Sequence, residues 1–319
     1  MPSADAVLEH VLTAPAAPAP LDGLESWWRG HLLFAARFWL PIDLAFAAGF
    51  AADRPGYAFA SGYQAAGATL VAALGPKGAS VAAARPLALC ATEEGGAAPR
   101  AIRTRLVRAP DGALRLDGQK TFVTLGSFAA ELLVVASEGE RDGRNRLRLV
   151  RIPRERAGVV VAPLPEAPFV PEIPHAALVL RAVRVAPEEL APGDGYDRYL
   201  KPFRTVEDCA VHAALLGWLV GVGRRSGFGR PLVEGLCASF CAVRTLALAD
   251  PSAPATHVAL GGVLAQAARD IAALDTEWPR AEAVVAGYWQ RDRALLAVAG
   301  RARAARLEAA WRRLGAPPG

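Results

Sequence analysis

The chain has 319 residues; 53% are hydrophobic and 21% are charged, the composition of an ordered globular protein with a substantial core. Its formal net charge is +5, and 33 of its 36 basic residues are arginine. The arginines are scattered and are not interleaved with aromatic residues, so the sequence predicts no nucleic-acid binding. No apolar run is long enough to span a membrane, and the N-terminus carries acids where a signal peptide carries basic residues. We therefore expect a cytoplasmic protein with no membrane partner.

Residues 1–86 have a helical, alanine-rich pattern, which predicts an N-terminal helical domain. A linker rich in proline and alanine at 14–20 separates a short first helix from a helix over 23–52. The residues DRPGY at 53–57 predict a turn, and residues 60–74 predict a second long helix.

Residues 87–192 change to short β-type runs with turn signals between them, which predicts a central antiparallel β barrel or sandwich. The dipeptide Asp117-Gly118 lies between two hydrophobic segments and predicts a hairpin turn at that point. The predicted strands are residues 101–107, 132–136, 146–152, 158–164 and 177–185.

Residues 193–319 return to a helical pattern after the boundary signal PGDGY at 192–196. From Thr205 onward, apolar residues recur every three or four positions, and further helical stretches cover 254–274 and 281–314. The sequence thus predicts an α+β multidomain fold, in which an N-terminal helical segment, a central β domain and a C-terminal helical bundle follow one another.

The four cysteines lack the spacing of a metal site or of a disulfide framework. Cys237 and Cys241 lie one helical turn apart, but no companion ligands accompany them. We expect these two residues, with Cys90 and Cys209, to be buried small hydrophobic residues, and we predict no metal site.

Residues 87–190 carry a specific order of motifs. A β-type run ends in Ala91-Thr92-Glu93, the residues DGQKTFVT follow at 117–124, and ALVLRAVRVAPEEL follows at 177–190. This order resembles the central domain of the acyl-CoA dehydrogenases, a family of flavoenzymes. The resemblance implies the same three-part architecture of helices, β domain and helices.

The resemblance also implies an FAD cofactor. It places Leu89, Ala91 and Thr92 along the isoalloxazine ring, largely through their backbone. It places Phe122 and Thr124 at a second contact, where the family usually has Trp-x-Thr, so the flat apolar face is kept and the indole donor is lost. The alternative is that Thr92, Phe122 and Thr124 are ordinary strand residues, since threonine and aromatic residues favour strands.

The glycine loop departs from the family pattern. The family's Gly-x-Gly-Ser-Asp appears here as GGAAP at 95–99, and Ala98 replaces the serine that helps to bind the flavin pyrophosphate. Gly95 and Gly96 leave open an approach of backbone N–H groups to a phosphate, which is a weak signal by itself.

Arg225 begins the sequence RSGFGRP at 225–231, which resembles the family's Arg-x-x-Phe-Gly-x-Pro loop. In relatives this arginine reaches a flavin phosphate across a subunit boundary, and the resemblance gives that role to Arg225. The alternative is a solvated arginine, because the helix predicted before it, residues 205–224, is about two turns shorter than the family's.

The family's usual catalytic glutamate is replaced. In register with the Arg-Asp at Arg291-Asp292, the glutamate position is occupied by Gly300, and the Gln-x-x-Gly-Gly element that normally precedes Arg-Asp is missing. Some relatives instead carry the base ten residues before the glycine of a Leu-Gly pair. With Leu216-Gly217 as that pair, the base is Glu207.

Glu207 has a structural alternative. The residues TVED at 205–208 are typical of a helix N-terminus, where acids interact favourably with the helix dipole. Such a position would also depress the pKa of the carboxylate, which is unsuitable for a general base. His212, in the same predicted helix, is interpreted as structural.

The leading hypothesis is therefore an FAD-dependent acyl-CoA dehydrogenase-like oxidoreductase that removes hydrogen from the α and β carbons of an acyl-CoA thioester, with Glu207 as base. We expect a homodimer or homotetramer, or an assembly with a related subunit. The alternative is a non-catalytic or half-site subunit of a heteromeric acyl-CoA dehydrogenase complex, which Ala98, Gly300 and the missing Gln-x-x-Gly-Gly element favour.

Overall fold

The protein is seen in a computed structural model that describes residues 3–75 and 85–315, and it has the predicted α+β fold. The described residues divide into two compact units. The helical unit contains residues up to 66, residues 168–170 and those from 204 onward, and the sheet unit contains the rest. The predicted domain boundaries at 86 and 192 stay predictions.

The helices of the described residues lie on both sides of the sheet in the sequence. They are Asp5–Thr13 (α1), Leu24–Arg37 (α2), Pro41–Phe50 (α3), Pro55–Ala72 (α4), Lys201–Arg225 (α5), Arg230–Ala247 (α6), Pro254–Ala272 (α7), Ala283–Asp292 (α8) and Gly300–Arg313 (α9).

The strands form one curled sheet with the order β1-β4-β2-β3-β7-β6, and β5 pairs with β4. The strands are Leu87–Cys90 (β1), Arg105–Arg108 (β2), Leu114–Thr124 (β3), Glu131–Arg141 (β4), Arg144–Pro153 (β5), Val159–Pro163 (β6) and His175–Val185 (β7). The β1–β4 and β2–β4 pairs are parallel and the others are antiparallel, so the prediction of a mostly antiparallel β domain is confirmed.

The sheet has its own apolar core. Leu116, Val123, Leu132, Val134 and Leu178 are completely buried in one cluster. Leu132, Val134 and Leu178 lie in the predicted strands 132–136 and 177–185, whereas Leu116 and Val123 lie on either side of the predicted hairpin turn in one continuous strand.

The predicted hairpin at Asp117-Gly118 is wrong, because β3 runs straight through it. The turn lies instead at Asp111-Gly112, where Gly112 has φ +81° and the Ala109 N–H donates to the Ala113 carbonyl at 2.8 Å. Gly118 has a different reason to be glycine, since a Cβ there would lie 2.6 Å from the Cα of Thr104. Both Asp-Gly pairs give the same local signal, and only tertiary packing separates them.

The single helix predicted over 23–52 is two helices. Leu40 precedes a proline and is extended (ψ 123°), so α2 ends at Arg37 and α3 starts afresh at Pro41. The turn predicted at 53–57 is wrong in part, because α4 already begins at Pro55, a residue that suits the first turn of a helix.

The helix α5 begins at Lys201, directly after a π-helical turn at Tyr196–Leu200, and not at Thr205 as predicted. By length and composition the segment Tyr196–Arg225 is apolar enough to cross a membrane. However, 83% of its most apolar window is buried inside the protein. It is the core helix of the helical unit, with Trp218 and Leu219 completely buried.

Glycines allow α5 to touch α3 through the backbone. A Cβ on Gly49 of α3 would lie 2.0 Å from the Ala214 carbonyl oxygen, and a Cβ on Gly217 of α5 would lie 2.1 Å from the Phe46 carbonyl oxygen. Real Cβ atoms do not approach so closely, so these two glycines fix the crossing point of the helices.

Candidate active site

The predicted flavin-facing residues of the sheet unit are brought together by a short pairing between the segment after β1 and the end of β3. Thr92 forms an isolated antiparallel bridge with Phe122, and the Thr121 N–H donates to the Thr92 carbonyl at 3.0 Å. Leu89 lies on β1 just before this bridge, and Thr124 lies two residues beyond Phe122 on β3.

These residues differ in what they present to solvent. Phe122 is 46% exposed, Leu89, Thr92 and Thr124 are half-buried, and the Ala91 side chain is buried. Any ligand contact from Ala91 would therefore come from its backbone, as predicted. Within the described residues the Thr124 hydroxyl has no hydrogen-bond partner, so it is available to a ligand.

A strained turn directly after Thr124 fixes the end of β3. Leu125 has φ +57°, a left-handed conformation that leucine rarely adopts, and it is completely buried. Its N–H donates to the Pro174 carbonyl at 2.8 Å, which ties the turn to the start of β7. Such strain persists only where the surroundings over-determine it, as they commonly do next to binding sites.

His175 belongs to the same surface and was missed by the sequence analysis. Its ring stacks on Phe122 with 4.2 Å between centroids, and it pairs with Thr124 across β3 and β7. The predicted strand started at residue 177, two positions too late, so the pattern gave no reason to place His175 in the sheet.

A buried ion pair holds the Thr92 segment to β3. The Lys120 ammonium, which is completely buried, donates to Glu93 Oε1 at 2.6 Å and to the Val135 carbonyl at 2.6 Å. Glu93 also accepts the backbone N–H groups of Arg103 and Thr104. Burial by itself would raise the pKa of Glu93, but Lys120 and these hydrogen bonds hold that pKa below its ordinary value.

The glycine loop does not offer both of its N–H groups to a phosphate. The Gly96 N–H donates to the Glu93 carbonyl at 2.8 Å, and the Glu93 N–H donates back to the Gly96 carbonyl at 3.1 Å. The idea that Gly96 binds a phosphate through its N–H is therefore wrong in this conformation, because the turn uses that donor.

Arg225 is the last residue of α5 and lies in the helical unit. Its two terminal nitrogens are buried and have no hydrogen-bond partner within the described residues. It lines a cleft of about 450 Å³ whose other charged or polar members are Asp53, Arg54, Ser226, Arg280, Glu282 and Tyr288. Burial lowers the pKa of Arg225, opposed by the more distant charges of Glu282 and Asp53.

A buried guanidinium without a partner is costly, and an anionic ligand removes that cost. Arg54 and Arg280 in the same cleft already have partners, Asp53 and Glu277 respectively. The alternative interpretation of Arg225, an arginine exposed to solvent, does not agree with the burial of these two nitrogens. The donor set therefore fits a phosphate group.

Glu207 lies seven residues into α5, so the prediction that it belongs to the first turn of a helix is wrong. It has no free backbone N–H to cap, because the helix is already formed around it. Its side chain is half-buried, and no hydrogen bond or ion pair from the described residues reaches its carboxylate.

The pKa of Glu207 is raised to about 7. Burial is the main cause, the neighbouring charge of Asp208 adds to it, and Arg204 and Arg306 oppose it. A carboxyl group that ionises near neutral pH suits general base catalysis, because it combines a useful basicity with a substantial ionised fraction.

Asp208, in contrast, is fully engaged. Its buried carboxylate accepts hydrogen bonds from Arg303 at 3.2 Å and from Arg306, both on α9. His212 contacts the Asp208 carbonyl through Nδ1 at 2.7 Å and is buried, which agrees with its structural interpretation.

The Arg-Asp motif is also structural. Asp292 is buried, pairs with Arg291 at 2.6 Å and accepts the Val170 N–H at 2.8 Å. Val170 has φ +43°, so Asp292 stabilises a strained turn. Gly300 begins α9, and nothing lies within 4 Å of the place where its Cβ would be.

A cleft of about 780 Å³ in the sheet unit has a mixed charged lining, which includes the carboxylates of Glu140, Asp194 and Asp197. Five exposed arginines line it, and none has a carboxylate partner within the described residues; they are Arg100, Arg103, Arg105, Arg144 and Arg146. Asn145 fixes its floor by donating to the carbonyls of Pro99 and Ile102 at 2.9 and 3.0 Å.

The described residues contain no cluster of ligands that could hold a metal ion, and all four cysteines are free. Cys90 and Cys209 are buried as predicted. The prediction is wrong for Cys237 and Cys241, which are only half-buried on α6, because that part of the helix is not covered on all sides.

Comparison with known proteins defines the class. Residues 88–183 match the family model for the acyl-CoA dehydrogenase middle domain. No curated protein sequence matches the chain. The fold, a curled and mostly antiparallel sheet with helices before and after it in the sequence, is shared with solved structures.

Three of these structures show the range. Glutaryl-CoA dehydrogenase from Mycobacterium smegmatis has a TM-score of 0.65 and 14% identity, with 99% of this chain and 94% of that chain covered. Butyryl-CoA dehydrogenase from Megasphaera elsdenii has a TM-score of 0.62 and 14% identity, with 85% and 81% covered. The FMN-bound dibenzothiophene monooxygenase TdsC from Paenibacillus sp. A11-2 has a TM-score of 0.69 and 16% identity, with 99% and 96% covered.

The match over residues 88–183 confirms, for that part of the chain, the resemblance to the acyl-CoA dehydrogenases predicted from the motifs over residues 87–190. Identities of 14–16% show a shared fold and do not transfer a substrate. Because the solved neighbours include both dehydrogenases and a monooxygenase, the reaction has to be argued from this chain's own residues.

Proposed function

We propose that the protein is a flavin-dependent oxidoreductase that removes hydrogen from the α and β carbons of an acyl-CoA thioester. The observation that carries the proposal is Glu207: a carboxylate without a partner in the described residues, with a pKa raised to about 7, at the position that the family resemblance gives to the base.

FAD is the proposed cofactor, and two features of the chain support it. The buried nitrogens of Arg225, which lack a partner among residues 3–75 and 85–315, fit a phosphate group of a dinucleotide. Phe122 and the Thr124 hydroxyl, which has no hydrogen bond within the same residues, fit a flat ring with polar edges. When bound, the flavin supplies the acceptor for a hydride from the substrate.

Glu207 does the proton chemistry. Its carboxylate accepts the proton from the carbon next to the thioester carbonyl, the hydrogen on the following carbon leaves as hydride, and a carbon–carbon double bond forms between the two. The hydride, with its two electrons, would pass to the flavin that Arg225, Phe122 and Thr124 are proposed to hold. Burial and the charge of Asp208 keep the Glu207 carboxylate basic, although Arg204 and Arg306 partly oppose this effect on its pKa.

The arginine-rimmed cleft supports a CoA thioester as substrate. CoA carries several phosphate charges, and Arg100, Arg103, Arg105, Arg144 and Arg146 are exposed without carboxylate partners in the described part of the chain. Their guanidinium groups suit bidentate binding of phosphate.

We also propose that the protein forms a homodimer or homotetramer, and that it is located in the cytoplasm.

A second candidate function is a subunit without a complete site, in a heteromeric dehydrogenase. Three observations favour it: Ala98 in place of the phosphate-binding serine, the Gly96 N–H engaged in its own turn, and Gly300 in place of the common catalytic glutamate. Such a subunit would need a partner to supply the missing contacts.

The absorption spectrum of the purified chain tests the proposal. The expected result is bound flavin with visible absorption bands, which bleach without oxygen when saturated acyl-CoA thioesters of several chain lengths are added. A chain that takes up neither FAD nor FMN, alone or with related subunits, would contradict the proposal. Bound flavin that no acyl-CoA reduces would favour the second candidate.

A further inference from the structure

We propose that His175 is a cofactor-contacting residue, whose neutral imidazole supports the Phe122 ring from below and supplies a hydrogen-bonding ring nitrogen to the bound flavin. The inference rests on the proposed flavin-dependent function and adds a residue to that site. Phe122, Thr124 and His175 will be called the β3–β7 platform.

The geometry places His175 on the same face of the sheet as its two companions. Thr124 and His175 are directly paired across β3 and β7, so their side chains point to the same side. Phe122 lies two residues before Thr124 and shares that side, and the register shift between Lys120 and Val123 brings its ring over the imidazole.

The stack leaves one aromatic face free. The centroids of Phe122 and His175 are 4.2 Å apart with an interplanar angle of 26°, while Phe122 is 46% exposed and His175 only 7%. The imidazole thus covers one face of the phenyl ring, and the rest of that ring is presented outward.

The second observation is an unsatisfied buried nitrogen. Nδ1 of His175 has no hydrogen-bond partner within the described residues. Nearby backbone donors are already used, since the Leu164 N–H donates to the His175 carbonyl at 2.9 Å and the Leu125 N–H donates to the Pro174 carbonyl at 2.8 Å. A buried polar atom left in this state needs an explanation such as a bound ligand or water.

Burial lowers the pKa of His175, which favours the neutral form of the ring. A neutral imidazole carries one N–H donor and one lone-pair acceptor. It therefore matches the polar edge of an isoalloxazine ring, which has both donors and acceptors, and it adds no net charge that would disturb the flavin.

The decisive variant is His175→Phe, which keeps an aromatic ring against Phe122 but removes both nitrogens. Thr124→Val is the matched comparison, because it removes the other free polar group of the platform and preserves side-chain shape. A control is His257→Phe, in the helical unit, where the histidine is bonded to Thr205 and the Pro251 carbonyl.

We expect His175→Phe to keep the circular dichroism spectrum and melting temperature of the wild type within a few degrees and to bind flavin about fivefold more weakly. That factor corresponds to one net hydrogen bond. Thr124→Val should weaken flavin binding by a similar factor, and His257→Phe should leave it unchanged. Flavin affinity is measured by fluorescence quenching.

A second measurement does not depend on activity or on affinity. In nitrogen-15 spectra of the imidazole groups, the His175 resonances are assigned by their loss in His175→Phe. We expect both the chemical shift of one ring nitrogen and its tautomer balance to change on addition of FAD.

The outcomes separate the two proposals. If the wild type binds no flavin, the proposed function fails and the inference falls with it. If the wild type binds flavin, but His175→Phe binds it equally well and the imidazole resonances do not move, the inference alone is overturned. If His175→Phe does not fold, His175→Gln supplies the assignment of the resonances, and imidazole resonances that do not move in the wild type still overturn the inference.

Discussion

Two buried cations show how differently the same kind of charge is treated in the two units. In the sheet unit, Lys120 is completely buried and bonded to Glu93 and to the Val135 carbonyl. In the helical unit, the buried nitrogens of Arg225 have no partner in the described residues. The first arrangement is complete without a ligand, and we propose that a ligand completes the second. On this proposal, whether a buried charge has a partner separates a structural role from a binding role better than burial does.

The carboxylates of α5 repeat the contrast within two adjacent residues. Asp208 has two arginine partners, whereas Glu207 has none among the described residues. The satisfied groups, Lys120 and Asp208, should therefore control stability, and the unsatisfied ones, Arg225 and Glu207, should control binding and turnover.

The largest effect is expected from Lys120→Met. Removing the cation leaves Glu93 buried without its counter-charge, so the free energy of unfolding should fall by about 3–5 kcal/mol. Urea denaturation followed by circular dichroism measures this loss. The double variant with Glu93→Gln should recover part of it, and a loss below about 1 kcal/mol in Lys120→Met would show that the pair contributes little.

Glu207→Gln is expected to slow flavin reduction by acyl-CoA by at least about 10²-fold, because the amide keeps the size of the side chain but cannot accept the proton. Stopped-flow absorbance measures the rate. Asp208→Asn is the control: it should lower stability and retain most of the reduction rate. Wild-type rates in Glu207→Gln would remove the residue from the mechanism.

The pH dependence gives a further test of Glu207. The ionised form of Glu207 is the active base, so the reduction rate should rise with pH through about 7. In Asp208→Asn this rise should move to lower pH, because Asp208 helps to raise the pKa of Glu207.

The free energy of unfolding should change with pH in the opposite direction. The folded protein keeps a proton between the ordinary pKa of 4.5 and about 7 that the unfolded chain has lost, so the free energy of unfolding falls as pH rises through that window. A rate independent of pH between 6 and 8 would contradict the assignment.

Arg225→Met should weaken FAD binding by about 10- to 100-fold, the range for a hydrogen bond to a charged group, without lowering stability. Arg224→Met is the matched control on the same helix, since Arg224 already donates to the carbonyls of Val11 and Ala14. That variant should lose stability and keep its affinity. If Arg225→Met is the less stable of the two, the comparison between satisfied and unsatisfied cations is broken.

The smallest effect is expected at the exposed arginines. Replacing Arg144 and Arg146 by alanine should raise the KM for acyl-CoA by about three- to tenfold, since screened surface charges contribute little individually. The KM for the corresponding acyl-pantetheine, which lacks the phosphates, should not change. Equal effects on the two substrates would show that these side chains do not recognise phosphate.

The sequence predicted β7 because its outward and inward positions alternate, and it predicted β4 from a continuous apolar run, since that strand is buried on both faces from Glu131 to Ser137. It placed the hairpin at the wrong Asp-Gly pair, since nothing local distinguishes a turn at Gly112 from the close approach of Thr104 to Gly118. The sequence also identified Glu207 and Arg225 as candidate site residues, from the spacing of the family motifs. That these two groups lack partners is a tertiary property, which no pattern of neighbours along the chain encodes.

His175 and the start of α5 mark the remaining gap. His175 is the first residue of β7, and the position of that strand end depends on the strained turn at Leu125. The start of α5 depends on the π-helical turn at Tyr196–Leu200. Both depend on long-range contacts, and helix and strand ends are the places where local propensity decides least.

The contact between α3 and α5 has a consequence for how mutational maps of this protein should be interpreted. Gly49 and Gly217 leave no room for even a methyl group, because the opposing carbonyl oxygens lie 2.0 and 2.1 Å from where it would be. In a saturation scan, both positions would tolerate as few substitutions as Glu207, although neither glycine offers any chemistry. Intolerance to change would therefore identify these two glycines as readily as Glu207, the proposed base on the same helix α5. The two can be separated by scoring abundance and turnover independently: the glycines should fail in abundance, and Glu207 only in turnover.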